Sequence, residues 1–478
     1  MPDEVREKNR IKLGFAPTRR NVMSREEAQR IKRKVEDKVK TYGIKYVNLD
    51  WLNEEGLLYG GHDSDIAATR FIGENVDAVF VPHCNFGTED AVAKLAKKVG
   101  KPLLLWGPRD EGPSPDGYRL RDTQCGMFAT SKVLGRMGTP FTYITNCDIE
   151  TETFNRGFKN FVAAASAVKA FKNLRIGQIS TRPGAFWSVI CNEGELLERF
   201  GIEIVPVTLV DIEKDVFSII REDDDGLGDT MEGIREKMGV VAVDEESLKK
   251  IAALKLAVRH WADSEGLSAV AMQCWSALQK SLGIAACFAN GELTGEGLPV
   301  TCETDIHGAV TSVIAQAAAM YESPVFFADL TVRHPANDNA ELLWHCGNFP
   351  HSLLKDGAFN ALDGHFDMQC PGAGDFEIKG GDITISRFDG INGEYSLLIG
   401  HGKGVEGPKN KGTYVWVEFN DWPAWEEKFI YGPYIHHCVG VHGRTAPALY
   451  EACRYIPGLK PDPVDPDETE IRKYLRGK

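Results

Sequence analysis

The chain lacks what several function classes require. None of its apolar runs approaches the ~18 residues that carry a helix across a bilayer. The N-terminus, Met1-Pro2-Asp3-Glu4-Val5-Arg6, is charged and has no apolar signal core. The 11 cysteines, an odd number, include no Cys-x-x-Cys pair, so the expectation is reduced thiols in a cytoplasmic protein. No Gly-x-Gly-x-x-Gly follows either of the two strands that open α/β-like segments, which disfavours a dinucleotide. Basic excess is missing too: 55 Lys and Arg stand against 69 Asp and Glu, a net charge of −14 that argues against a nucleic-acid surface.

What is present suits a large globular protein. At 478 residues, length predicts about three domains of roughly 150 residues each. A composition 43% hydrophobic and 26% charged is ordinary for such a chain. Ile11–Ala16 reads as a strand, Arg25–Tyr42 as a helix, Val76–Val81 as a strand. A helix from about Thr88 stops before Gly100, and Pro102–Trp106 is the next strand. Such alternation predicts a parallel sheet covered on both faces. Leu174–Pro183 then echoes Ile11–Arg19, each an apolar strand with a glycine followed by a Thr-Arg loop, and opens a second α/β segment with strands near Ile202–Leu209 and Leu267–Met272. The acidic segment Glu222–Asp229 reads as a surface loop. From about Asp356 short alternating strands dominate, with a hairpin signal at Asp389-Gly390-Ile391-Asn392-Gly393. The expected fold class is therefore α/β: two doubly wound, Rossmann-like α/β domains, 1–172 and 173–355, then a mainly antiparallel β domain, 356–478. The last short helix is expected to pack on a neighbouring subunit.

Metal-capable side chains recur in apolar surroundings between Thr301 and His345 and once more downstream. Glu303 and Asp305 sit just before a helix, Asp329 follows Phe326-Phe327-Ala328, and His345 lies in Leu343-Trp344-His345-Cys346. The pair His436-His437 stands in Tyr434-Ile435-His436-His437-Cys438. A buried carboxylate must be paired, protonated or metal-bound. Two carboxylates with one or two imidazoles suit Mn²⁺, or else Mg²⁺ or Co²⁺, better than a thiolate zinc site. Each piece also has a plainer reading: Glu303 and Asp305 as helix caps, Asp329 as a turn residue, His345 as a core histidine, and Cys302, Cys346 and Cys438 as small buried hydrophobes. Adjacent side chains on an extended segment diverge, so His436 and His437 cannot both face one site.

The order Glu303, Asp329, His345, His437 resembles the L-fucose and L-arabinose isomerase family. Cys302-Glu303-Thr304-Asp305-Ile306-His307-Gly308-Ala309 is similar to its metal-glutamate segment, and Phe327-Ala328-Asp329 to the aspartate of the fucose branch. His345 falls where the arabinose branch keeps a histidine, and His436-His437 resembles the closing pair. The resemblance implies a metal-dependent aldose–ketose isomerase with Glu303, Asp329, His345 and His437 as ligands. It also implies Glu303 and Asp329 as the acid–base pair, His437 rather than His436 as the ligand, and a trimer or hexamer whose sites a neighbouring subunit completes. A C1–C2 enediol path and a hydride shift need the same ligands. Loops after the parallel strands would supply sugar contacts from Arg19, Arg20, Asn85, Arg109, Gln273 and Trp275, with His436 beside them. Some relatives act on 6-sulfo sugars such as sulfoquinovose, and arginines among Arg19, Arg109 and Arg182 would suit an anionic substituent. Two other classes stay open: a sugar-binding protein, and a metal-dependent hydrolase or aldolase.

Overall fold

The computed structural model describes residues 1–222 and 225–478. It divides into two compact units, one made of Asn9–Lys169 with Thr469–Lys478, the other of Met1–Lys8 with Ala170–Glu468. The first is built on a five-stranded parallel sheet of β1 (Lys12–Phe15), β2 (Lys45–Val47), β3 (Ala78–Pro82), β4 (Leu103–Trp106) and β5 (Thr142–Tyr143), in the order β2-β1-β3-β4-β5. Every residue of β3 and β4 is buried, as helices on both faces require. The helix Glu89–Val99 ends on Gly100 in the left-handed conformation, as its sequence predicts. The final helix, Glu468–Leu475, makes contacts within its own chain. The segment from Thr469 on belongs to this unit of its own chain, where Tyr474 lies under the Arg156 guanidinium and Arg476 covers the Tyr143 ring.

The second unit contains a four-stranded parallel sheet of β6 (Arg175–Ile179), β7 (Glu203–Val207), β9 (Ala269–Met272) and β10 (Val300–Thr301), ordered β10-β9-β6-β7. The echo between Ile11–Arg19 and Leu174–Pro183 has a packing cause. A Cβ on Gly14 would stand 2.7 Å from the Phe71 ring, and one on Gly177 would stand 2.7 Å from Trp261. Each opening strand thus yields its side-chain volume to an aromatic ring of a covering helix. Of the loop expected over Glu222–Asp229, Glu222 ends one helix and 225–229 open another, while Asp223 and Asp224 lie outside the described residues.

A ten-stranded sheet completes the second unit. It joins β8 (Val240–Val241), β11 (Val325–His334), β12 (Asn337–His345), β13 (Asn360–Gly364), β14 (Pro371–Glu377), β15 (Asp382–Ile391), β16 (Glu394–Val405), β17 (Thr413–Glu418), β18 (His437–His442) and β19 (Leu459–Asp465). Six of these close on themselves in the ring β16-β15-β18-β11-β12-β17, with Lys403↔Glu418 and Gly404↔Val417 sealing β16 to β17. The result is an antiparallel barrel, which removes the sheet edges that aggregate. The β15–β16 turn falls at Asn392-Gly393, both at positive φ, as the hairpin signal demands. The barrel takes two strands from 325–345, upstream of the change in texture at Asp356.

Glu341 on β12 is an unusual barrel residue. It is 2% exposed, its Oε1 has no hydrogen-bond partner, and the nearest cation, Arg333 Nε, is 3.8 Å away. Burial pushes its carboxyl up to about 7. Its folded pKa therefore exceeds its unfolded one, so its contribution is most favourable below the unfolded value and is lost as pH rises through the folded value. Glu341→Gln should match the wild type near pH 4.5 and exceed it by about 1–3 kcal/mol at pH 8. Denaturant unfolding at both values checks this, and a gap that does not widen with pH rejects it.

Candidate active site

The candidate site is built where β10 ends beside β9 and where the barrel strands β11 and β18 pair. After Thr301 the chain makes a tight turn in which Glu303 and Thr304 both take left-handed conformations, φ 62° and 57°. Such conformations in non-glycine residues cost about 1–3 kcal/mol each and cluster at functional sites. The turn is held by Thr304 N–H on the Met272 carbonyl at 3.1 Å, which ties it to the end of β9. Asp305 then caps the helix Ile306–Ala318 by accepting from Gly308 N–H at 2.9 Å. The cap reading from sequence thus fits Asp305, and Glu303 is free of that duty. On the barrel side, Asp329 and His437 are direct register partners across β11 and β18.

Three functional groups converge here. His437 Nε2 lies 3.2 Å from Glu303 Oε2 and 3.4 Å from Asp329 Oδ1. His436 Nε2 is 4.0 Å from the same Asp329 oxygen, with its side chain half in solvent. Ligand atoms of Asp329, His436 and His437 all fall within 4.8 Å of one another. His437 is fully buried, and its other nitrogen, Nδ1, stands 2.8 Å from Asp305 Oδ2. A carboxylate accepts only, so Nδ1 carries a proton and donates, which leaves Nε2 as the nitrogen that faces Glu303 and Asp329 and that can offer a lone pair to a cation once its own proton has left.

A buried charge network stands behind this group. The guanidinium of Arg387, 0% exposed, bridges Asp305 and Asp389: Nη1 and Nη2 bind Asp305, and Nε donates to Asp389 Oδ2 at 2.9 Å. His307 Nδ1 meets the other Asp389 oxygen at 2.8 Å. Burial would raise the Asp305 carboxyl, but Arg387 and His437 override it and hold it far below the usual range. Burial likewise opposes ionisation of Glu303, and the hydrogen bond and charge of His437 bring its carboxyl down. For His437 itself burial favours the neutral ring, yet the hydrogen bonds to Asp305 and Glu303 and the charge of Asp329 raise it to about 10. Three carboxylates around one imidazole thus call for a positive charge, and in the absence of a cation a proton on His437 supplies it.

The donor set fits a divalent cation. Asp329 Oδ1 is buried without a hydrogen-bond partner, and His437 Nε2 and Glu303 Oε2 stand beside it, 3.2 Å from each other. Carboxylate oxygens with imidazole form a hard-to-borderline set. The nearby thiols do not compete. A hydrogen bond with Cys274 raises the Cys302 thiol, burial raises that of Cys438, and protonated thiols are poor ligands.

The remaining sequence candidates distribute between the units. Gln273 and Trp275 follow β9, next to the Met272 carbonyl that anchors the Glu303 turn, and Trp275 packs 5.6 Å from the His365 ring. His345 ends β12, with its ring 6.5 Å from that of His437. Arg19, Arg20, Asn85 and Arg109 lie in the other unit. There Arg19 forks onto Glu55 at 2.6 and 2.9 Å, Arg20 reaches Glu89 at 3.1 Å, and Asn85 is fully buried, accepting from Arg20 N–H at 2.8 Å. Arg109 is exposed. Arg182, by contrast, donates to the carbonyls of Pro183 and Gly184. Sequence reasoning missed Arg387, Asp389 and His307. The available signal was an arginine set in the alternating apolar run Ile383–Phe388, a position the burial rule reserves for paired charge.

Comparison with known proteins adds independent findings. Residues 14–172 match the family model described as fucose/sulfoquinovose isomerase, N-terminal domain. The sulfoquinovose isomerase of Priestia aryabhattai is 27% identical over 348 residues, covering 72% of this chain and 76% of that protein. That of Alkalicoccus urumqiensis is 26% identical over 341 residues, covering 71% and 75%. A solved ABC transporter periplasmic solute binding protein from Actinobacillus succinogenes, with bound D-allose, is 14% identical over 66% of this chain and 89% of that one, at a TM-score of 0.17. A likeness that low carries no argument about fold or function. Among the described residues, no helix is long and apolar enough to cross a membrane.

Proposed function

From the premise that the chain belongs to the fucose and sulfoquinovose isomerase family, we propose a metal-assisted proton transfer between C1 and C2 of an open-chain sugar. As a member the protein is a sugar isomerase, an enzyme that interconverts an aldose and its ketose. The observation that carries the finer reading is the convergence of Glu303 Oε2 and Asp329 Oδ1 on His437 Nε2, at 3.2 and 3.4 Å. Glu303, Asp329 and His437 would hold a divalent cation, Mn²⁺ or else Mg²⁺ or Co²⁺. When bound, such a cation polarises the carbonyl and stabilises enediolate charge.

The residues divide the rest of the work. Asp305 keeps the proton of His437 on Nδ1. Glu303, held ionised by its neighbours, takes the proton from C2 of the aldose and returns it at C1, with Asp329 as its acid–base partner in that relay, so that the pair ends as it began while the hydroxyl proton passes from O2 to O1. His436, on the open side of Asp329, contacts a substrate hydroxyl, as do Gln273 and Trp275. A 6-sulfo aldose is the substrate class we favour, since the named relatives are sulfoquinovose isomerases. Arg182, whose side-chain hydrogen bonds go to backbone carbonyls, is the arginine best disposed toward an anionic group. We further propose a cytoplasmic homo-oligomer, trimeric or hexameric, and a three-part division into two Rossmann-like α/β domains and a β domain.

Incubation with Mn²⁺ and a panel of pentoses, 6-deoxyhexoses and 6-sulfo aldoses tests this. The expected result is ketose from a 6-sulfo aldose, abolished by exhaustive chelation and restored by Mn²⁺. Full activity in metal-free protein overturns the cation, and binding or fragmentation without ketose overturns isomerisation. In D₂O, deuterium entering the product marks proton transfer; its absence marks a hydride shift.

A further inference from the structure

The resemblance to arabinose isomerases makes His345 a metal ligand, but its hydrogen bonding points elsewhere. Its Nδ1 accepts from the backbone N–H of Cys346 at 2.9 Å. An accepting nitrogen carries the lone pair, so the ring proton sits on Nε2. That Nε2 is buried and has no partner among the described residues, on a side chain 1% exposed. His437 is set up the opposite way: its Nδ1 donates to Asp305, which leaves Nε2 as its only nitrogen able to offer a lone pair to a cation. Two imidazoles 6.5 Å apart, centroid to centroid, are therefore arranged for opposite roles. A protonated Nε2 cannot ligate a cation, whereas an N–H is what an oxygen of the substrate needs.

We propose that His345 is a hydrogen-bond donor to a sugar oxygen through Nε2–H, not a metal ligand. This rests on the isomerase reading. Its ring is pinned for that role, parallel to Trp344 within 8° and packed 5.5 Å from Phe327, which itself lies 4.9 Å from His437. A buried donor left unpaired costs about 1–3 kcal/mol, and a substrate oxygen relieves that cost on binding. If the oxygen is one on which enediolate charge develops, the bond strengthens in the transition state and acts on kcat rather than on metal affinity. The proton stays on Nε2 throughout.

The test uses His345→Gln and His345→Ala, each checked for folding by thermal melting, with Mn²⁺ titrated into metal-free protein and kcat measured at saturating metal. Both variants should bind Mn²⁺ within about twofold of wild type. His345→Ala should lose roughly 10²-fold in kcat, as loss of one oxyanion donor typically does. His345→Gln, which restores an N–H near the same place, should recover about tenfold of that loss. A tenfold or larger drop in Mn²⁺ affinity in either folded variant overturns the proposal in favour of the ligand role. Wild-type kcat in both variants overturns it in favour of a core histidine. If the wild type converts no sugar, the isomerase reading fails by that result alone, while the Mn²⁺ titration still decides whether His345 is a ligand.

Discussion

Glu303→Gln should fold normally and lose nearly all turnover. The substitution keeps side-chain volume and polarity, and glutamine adopts the left-handed conformation at φ 62° no less readily than glutamate. It removes one of three carboxylates, with Asp305 and Asp329, that crowd His437. Stability should fall slightly in metal-free protein, because the ionised carboxylate that His437 holds below its usual pKa is lost. Function responds far more strongly. An amide cannot take the C2 proton, and its neutral oxygen binds a divalent cation less well than a carboxylate. Loss of one acid–base group alone typically costs roughly 10²–10⁴-fold in rate. Measurement of kcat at saturating Mn²⁺ separates the two effects, since excess metal compensates weakened binding and leaves the missing base exposed. Retention of more than about half of wild-type kcat would mean that Glu303 takes no part in the proton transfer.

The α/β half of the chain was legible because its signals are local. Short apolar strands bounded by glycine or proline and helices with one apolar face need only a window of a dozen residues, as β3, β4 and the helix Glu89–Val99 illustrate. The hairpin at Asn392-Gly393 is local in the same sense. Closure of the barrel is not. It depends on β16 meeting β17 while β11 lies between β12 and β18, pairings that include segments over 100 residues apart and that no periodicity encodes. The site shares that divide. Glu303 and Asp329 could be flagged from apolar neighbours, but the proximity of Asp329 to His437 is a register fact of two strands distant in sequence. The start of the helix Asp225–Lys237, up to Asp229, reads as a loop because Asp and Gly are weak helix formers, and packing of Leu227, Met231 and Ile234 into the core outweighs that propensity. The tautomer of His345 depends on one backbone N–H and was invisible to composition or spacing.

Arg387→Met should be the most destabilising single change near the site. The side chain is 0% exposed and its guanidinium engages Asp305 and Asp389 together, so its removal leaves two buried carboxylates without that cation. Removing one partner from a buried ion network typically costs about 3–5 kcal/mol. Both carboxyls have folded pKa values below their unfolded ones, so in the wild type their contribution is present above the unfolded pKa and is lost as pH falls through the folded one. Without Arg387 burial dominates and both pKa values rise. The variant should then be relieved by protonation, and its deficit against wild type should narrow between pH 8 and pH 5. Adding Asp305→Asn and Asp389→Asn to Arg387→Met removes the stranded charges and should restore most of the stability. It should not restore turnover, because Asp305→Asn puts an amide in place of the carboxylate that His437 Nδ1 donates to and weakens the hold on its tautomer. Chemical unfolding at both pH values, with kcat for the single and triple variants, tests each step. A single variant within about 1 kcal/mol of wild type at pH 8 would show that His437 and His307 neutralise the two aspartates without the guanidinium; a fully active triple variant would show that the charge on Asp305 does not orient His437.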